Sequence, residues 1–210
     1  MLLTENHSEE GYIKYRLMWE KDKTLLSPLL AELNDCRNRL YDMGLIGAYT
    51  DSGIGFGNIS CRMPAPLGLF AISGTQTGHI AQLTSAHYTT VTAYDLADNR
   101  VCCRGPVKAS SEALTHAALY DLSALCGAVI HVHHRQWWEQ LLGNVPTTER
   151  GVSYGTPDMA REMARLYNNS TLPQQKILAM AGHTEGIIVF DNTCALAISR
   201  LLYYWQKSGF

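Results

Sequence analysis

Charge is scarce in this chain and nearly balanced in sign. Charged residues make up 17% of its 210 residues, with 17 Lys and Arg against 19 Asp and Glu, for a net charge of −2. No Lys/Arg run stands out, which argues against nucleic acid or an anionic membrane as partner. No apolar stretch approaches the roughly 20 residues needed to span a bilayer. The opening ten residues are acidic and lack a signal peptide's basic start and long apolar core, so a cytoplasmic location is expected. The six cysteines, Cys36, Cys61, Cys102, Cys103, Cys126 and Cys194, form no C-x-x-C pair and are too sparse for a secreted disulfide scaffold. The adjacent Cys102 and Cys103 read as strand-edge residues rather than a redox centre. Internal repeats and low-complexity segments are also missing. A hydrophobic content of 46% then fits one folded domain with a substantial core. Residues 1–23 read as an N-terminal extension and 24–210 as the domain proper.

Within the extension, Tyr12-Ile13-Lys14-Tyr15 suggests a strand or a mobile arm. Helical spacing of Leu29, Leu30, Leu33, Leu40 and Met43 predicts a helix over 27–43, closed by Gly44 and Gly47. Strands are expected near 59–62, 67–72, 91–94 and 100–103. Ser110 or Ser111 is placed to cap a helix running to about Leu125, with Leu114, Ala118, Leu122 and Leu125 as its apolar stripe and with Glu112 and His116 off it. Trp137-Trp138 begins a short helix, serving either core packing or a subunit interface. Tyr154-Gly155-Thr156-Pro157 opens another helix, with proline in its first turn. Strands at 177–180 and 187–190 flank His183, and Asp191 or Asn192 is expected to cap a last helix ending near Trp205. Tyr203, Tyr204 and Trp205 read as terminal helix packing, with closure of a neighbouring site as the alternative. Interleaved helices and strands imply an α/β domain of three layers on a mixed sheet.

Three histidines carry the chemical signal. The apolar run Gly127-Ala128-Val129-Ile130 enters His131-Val132-His133, and residues two apart on a strand face the same side. His183 follows 50 residues after His133, and Glu112 precedes His131 by 19. Three neutral imidazoles with an open position make a zinc site able to do chemistry. Each element alone has a plainer reading. A lone His-x-His is more often packing or surface, and Ser-Ser-Glu is a common helix start. Their co-occurrence favours the site. His134 should point away from His133, and His116 reads as packing beside the site. Gly57-Asn58 and Ser73-Gly74-Thr75, with Ser110 and Ser111 at a helix start, offer backbone N–H groups to an anion, although a glycine-rich turn is usually only a turn.

In this order, Gly57-Asn58-Ile59-Ser60, Ser73-Gly74-Thr75, Ser110-Ser111-Glu112, His131-Val132-His133 and Gly182-His183 resemble the class II aldolase/adducin family over roughly residues 25–205. The resemblance, which is to fuculose-phosphate aldolase-like members, implies a three-layer α/β/α sandwich around a largely antiparallel sheet and a homotetramer. It implies that His131, His133 and His183 hold Zn²⁺, or another divalent ion such as Mn²⁺, Co²⁺ or Fe²⁺. Glu112 would be the acid/base, and Gly57, Asn58, Ser73, Gly74, Ser110 and Ser111 would bind substrate phosphate. The implied activity is that of a metal-dependent lyase in carbohydrate metabolism, stabilising the enediolate of a small hydroxy-carbonyl compound, with sugar phosphates as candidate substrates. Epimerases, dehydratases or decarboxylases on the same scaffold are the alternatives, as is a non-catalytic adducin-like interaction domain. This sequence departs from the pattern at His183-Thr184-Glu185-Gly186, where many members have His-Gly. Glu185 reads as a solvated turn residue, or alternatively as a carboxylate behind a ligand. Val107-Lys108-Ala109 stands where proline commonly precedes the serines, and Lys108 reads as exposed.

Overall fold

A computed structural model describes residues 11–23 and 28–210, so the acidic opening and the predicted helix start at Ser27 lie outside it. Strands β1 (Arg16–Lys21), β4 (Asn58–Arg62), β5 (Phe70–Ser73), β6 (Tyr88–Asp95), β7 (Arg100–Gly105), β8 (Ala128–His133), β9 (Ile177–Ala179) and β10 (Gly186–Asp191) form one sheet in the order β1-β7-β6-β5-β4-β8-β10-β9. Among these strands only the β1–β7 pairing is parallel; the others are antiparallel. Two short strands, β2 (Gly47–Ala48) and β3 (Gly55–Phe56), pair separately. The helices are α1 (Pro28–Asp42), α2 (Ala113–Leu122), α3 (Arg135–Leu141), α4 (Pro157–Asn169), α5 (Leu172–Gln175) and α6 (Cys194–Lys207). Among the described residues no helix is long and apolar enough to cross a membrane.

Strand alternation divides the core between the two sheet faces. Ile130 and Val132 of β8, with Ile187 and Val189 of β10, pack with α1, α3 and α6. Val129, Ile188 and Phe190 pack on the other face with α2, α4 and Leu172 of α5. With helices on both faces, the central strands read as continuous apolar runs, and His131 and His133 interrupt one of them. By parity with Val129, both imidazoles lie on the face that α2 covers.

Most of the expected elements are present with shifted ends. Tyr12 to Tyr15 form no strand; β1 begins only after them, and β5 begins at Phe70, leaving Leu67 and Leu69 exposed. Helix α2 stops at Leu122, so the predicted stripe member Leu125 is exposed instead of buried. Ala113 through Tyr120 of α2 are all buried, which places Glu112 and His116 inside the protein. Neither Asp191 nor Asn192 caps α6; Thr193 does, its hydroxyl accepting from Leu196 N–H at 3.2 Å. Asp191 is instead buried between Lys176 (2.5 Å) and Arg200 (2.8 Å). Helix α1 buries Leu30, Leu33 and Leu40 as its spacing predicts, together with an unexpected Arg37. The Arg37 guanidinium donates to the carbonyls of Thr77, Gly78 and Ala81 and so staples the loop after Ser73-Gly74 to α1.

Candidate metal centre and active site

β8 delivers two imidazoles and the β9–β10 turn the third. His131 and His133 stand two residues apart on β8, and His183 sits in the turn before Gly186. Exposure is 0% for His131, 2% for His133 and 5% for His183. Ring centroids lie 4.8, 5.1 and 4.8 Å apart, and the possible ligand atoms of the three all fall within 4.8 Å of one another. His183 Nε2 and His133 Nε2 approach to 2.9 Å. Gly186 makes the convergence possible: a Cβ there would lie 2.5 Å from His183 Cδ2 and 3.2 Å from His131 Nε2.

Hydrogen bonds behind the rings bear on which nitrogen faces the cluster. His133 Nδ1 meets the Tyr49 hydroxyl at 2.9 Å, and that hydroxyl reaches Glu185 Oε2 at 3.3 Å. If Tyr49 donates to the carboxylate and accepts from Nδ1–H, His133 Nε2 keeps its lone pair for a cation. Phe56 stacks on the same ring, with centroids 5.4 Å apart. His131 pairs across the sheet with Asn58 of β4, whose side-chain amide lies 3.2 Å from Nδ1. With the amide turned so that its carbonyl oxygen accepts from Nδ1–H, His131 Nε2 also presents a lone pair. That Nε2 is buried without a hydrogen-bond partner, a costly arrangement for a polar atom unless an ion or ligand meets it. Burial, then the neighbouring His133, His183 and His116, hold the His131 pKa well below the ordinary value, so the ring is neutral, as a metal ligand must be. The residues therefore fit a divalent cation.

Glu112 is also buried. It occupies the turn into α2 at 1% exposure, with Oε1 3.8 Å from His183 Nδ1. Its backbone N–H donates to Ser110 Oγ at 3.2 Å. The Gly-rich segments form one neighbourhood beside it. Ile59 N–H donates to Ser73 Oγ at 3.2 Å, Gly74 bridges to Ala109, and Thr75 N–H donates to the Lys108 carbonyl. This brings Asn58, Ser73, Gly74 and Ser110 together, with Gly57 and Ser111 adjacent in sequence and Ser110 and Ser111 buried.

His116 stays outside the imidazole cluster. Its Nδ1 meets Ser60 Oγ at 2.7 Å, Ser60 reaches the Tyr120 hydroxyl at 2.8 Å, and burial lowers the His116 pKa to about 3. His134 caps α3 by accepting from Trp137 N–H and packs against Trp205 and Phe210. Trp137 and Trp138 are core residues, and Lys108 is exposed. Glu185 corrects the solvated-turn expectation. Its side chain is 13% exposed, it lies behind His133 through Tyr49, and Arg135 stands 4.0 Å away. Tyr49, Gly186 and Tyr154, whose ring meets His183 edge-on at 4.5 Å, were not legible as site residues. Tyr49 belongs to no motif, and Tyr154 carried only a helix-start signal. An open groove of about 530 Å³ at the opposite end of β4 and β8, lined by Cys61, Arg62 and Cys194 among others, holds none of these groups.

Comparison with known proteins identifies the family and the fold. The sequence profile described as Class II Aldolase and Adducin N-terminal domain matches residues 46–206. The chain belongs to the class II aldolase and adducin family. Its fold is shared with L-fuculose-1-phosphate aldolase from Thermus thermophilus, with a TM-score of 0.59 and 19% identity over 87% of this chain and 97% of that one. A sugar-phosphate aldolase from Thermotoga maritima gives a TM-score of 0.65 and 14% identity over 86% and 91% of the two chains. YgbL from Klebsiella pneumoniae, which carries the open designation aldolase/epimerase/decarboxylase, gives 0.61 and 18% over 86% of each. At these identities the likeness to solved structures is one of fold. The curated proteins contain no match.

Proposed function

We propose that this protein is a metal-dependent lyase of the class II aldolase type, acting on a small hydroxy-carbonyl substrate such as a sugar phosphate. The observation that carries the reading is the buried cluster of His131, His133 and His183, with the Glu112 carboxylate 3.8 Å from His183. The three histidines would hold the ion, zinc being the first candidate for an all-imidazole set. A bound divalent cation supplies Lewis-acid polarisation of a carbonyl and offsets developing negative charge. Glu112, as the acid/base, takes and returns a proton at its carboxylate. Gly57, Asn58, Ser73, Gly74, Ser110 and Ser111 form the candidate phosphate cradle, offering N–H and hydroxyl groups without a cation. Tyr49 and Asn58 orient the imidazoles from behind. The family resemblance further supports a homotetramer, which light scattering on purified protein tests.

Stabilising the same enediolate-type charge also serves epimerisation, dehydration or decarboxylation, according to which bond breaks, and the likeness to YgbL keeps those reactions as the second reading. Product analysis separates them. The deciding experiment measures divalent metal by elemental mass spectrometry, then turnover on a panel of phosphorylated ketoses. Wild type carries about one ion per chain, and the His131→Ala/His133→Ala variant carries none. Glu112→Gln keeps the ion and loses roughly 10²- to 10⁴-fold in turnover. A wild type that takes up no metal on reconstitution, or a Glu112→Gln variant with full turnover, ends this reading.

A further inference from the structure

Residues 11–23 precede the part of the chain that matches the family profile, yet they reach the site at several points. Tyr12 N–H donates to the Tyr154 hydroxyl at 3.1 Å, and that hydroxyl donates back to the Tyr12 carbonyl at 3.2 Å. The Lys14 ammonium donates to Ser153 Oγ at 2.8 Å and lies 4.2 Å above the centre of the Tyr154 ring. The Tyr15 hydroxyl donates to the Ser110 carbonyl at 2.6 Å. A Cβ on Gly11 would run into the Gln76 amide, so the arm also lies against the turn after Ser73-Gly74. Two features moor it downstream: the parallel β1–β7 pairing, and the Trp19 indole N–H donating to the Gly105 carbonyl at 3.0 Å.

What the arm grips is Ser153 and Tyr154, in a segment, 150–155, that is wedged against the site. Tyr154 is 3% exposed and meets His183 edge-on. Gly155 packs so closely that a Cβ would lie 2.7 Å from the Ser111 carbonyl oxygen, and its N–H donates to Thr115 Oγ1 at 3.2 Å. Beside His183, a Cβ on Gly182 would lie 2.9 Å from the Arg150 carbonyl oxygen. The three imidazoles are not equally restrained. β8, which carries His131 and His133, is paired on both sides with β4 and β10. His183 stands on a turn, so its placement depends more on what packs beside it, and Tyr154 packs there.

We propose that residues 11–15 are a positioning strap for the histidine cluster. Through the Tyr12 backbone and the Lys14 ammonium the strap fixes Tyr154, and through Tyr154 it fixes His183. Its consequence for metal binding rests on the metal-centre reading above; its effect on the His183 turn does not.

The test uses the full-length chain as wild type, Tyr154→Phe, Lys14→Ala and Lys14→Arg. Amide hydrogen exchange is measured without metal, followed by a Zn²⁺ titration. Tyr154→Phe keeps the ring and removes both bonds to Tyr12, so exchange in 11–15 and in 180–186 accelerates together, on the order of ten-fold. Lys14→Ala moves both segments the same way, and Lys14→Arg, which restores a cation over the ring, reverses the change. Zn²⁺ slows exchange of 11–15 in wild type because coupling is reciprocal, and the two weakened variants lose roughly ten-fold in Zn²⁺ affinity. Faster exchange in 11–15 with 180–186 unmoved overturns the strap, as does unchanged Zn²⁺ affinity in variants of a wild type that binds the ion. A wild type that ignores Zn²⁺ while 180–186 still follows the arm removes the metal-centre reading and supports the strap.

Discussion

Gly186→Ala isolates the steric basis of the histidine cluster with a single methyl group. The φ of Gly186 lies outside the left-handed region, so alanine meets no backbone penalty there. By reducing unfolded-chain freedom it would by itself stabilise by about 0.4–1 kcal/mol. Against this, the new Cβ would stand 2.5 Å from His183 Cδ2 and 3.2 Å from His131 Nε2. Ordinary contact needs about 3.5 Å, so His183 must retreat by about 1 Å. The strand is not free to yield instead, because Gly186 N–H donates to the His183 carbonyl and the Gly186 carbonyl accepts from Met180 N–H, each at 2.9 Å. Overpacking of this kind costs about 1–3 kcal/mol, which outweighs the entropic gain. Metal–ligand distances tolerate only about 0.2 Å, so a retreat of about 1 Å would take His183 out of the proposed ligand set. Thermal melts with and without Zn²⁺ separate the two effects. At a hundred times its dissociation constant, an ion bound only by the folded chain adds about 2.7 kcal/mol. For a chain of this size that raises the wild-type Tm by about 5–11 °C. The variant is expected to melt lower without metal and to show little or none of that rise. A variant that melts with wild type and gains the same zinc shift would refute the argument.

Further outcomes follow from other contacts. Tyr49→Phe removes the hydroxyl joining His133 Nδ1 to Glu185 and should weaken Zn²⁺ binding about 10- to 100-fold with little change in metal-free stability; calorimetric titration giving wild-type affinity contradicts the orienting role. Arg37→Leu strips the carbonyls of Thr77, Gly78 and Ala81 of their donor and should cost about 3 kcal/mol in urea unfolding, with Arg37→Lys recovering part; a loss under about 0.5 kcal/mol counts against the staple. Burial pushes the Asp191 carboxyl up, but the Lys176 ammonium, the Asn192 N–H and the Arg200 guanidinium outweigh it and hold its pKa below the ordinary value. A depressed folded-state pKa gives stability that is full above the unfolded value, about 3.9, and is lost as pH falls through the folded one. Asp191→Asn should therefore cost about 1–3 kcal/mol at neutral pH and flatten this part of the acid limb, and an unchanged acid limb would exclude the assignment.

The sequence by itself determined most helix and strand types, because apolar periodicity and turn residues are local signals, but not β1 over Arg16–Lys21 or the short α5. The Leu30, Leu33 and Leu40 spacing set the buried face of α1, and Thr156-Pro157 marked the start of α4. It also determined that His131 and His133 share a face, since strand geometry fixes i and i+2 whatever the rest of the fold does. Ordered motifs then carried the family resemblance and, with it, His183 and Glu112 as companions.

Tertiary structure decided everything that depends on what a residue meets. Leu125 fitted a helical stripe but is exposed because α2 ends at Leu122. Arg37 fell on the buried face of α1, and three loop carbonyls supply the reason. Glu185 looked like a turn residue until Tyr49, 136 positions away, reached it. Gly186 carried no signal of its own in the sequence, yet the room it leaves lets two imidazoles approach. The arm at 11–15 matched no motif, and its contacts with Ser110, Ser153 and Tyr154 arise only once β1 docks beside β7. Such contacts join residues far apart in the chain, and no local periodicity encodes them.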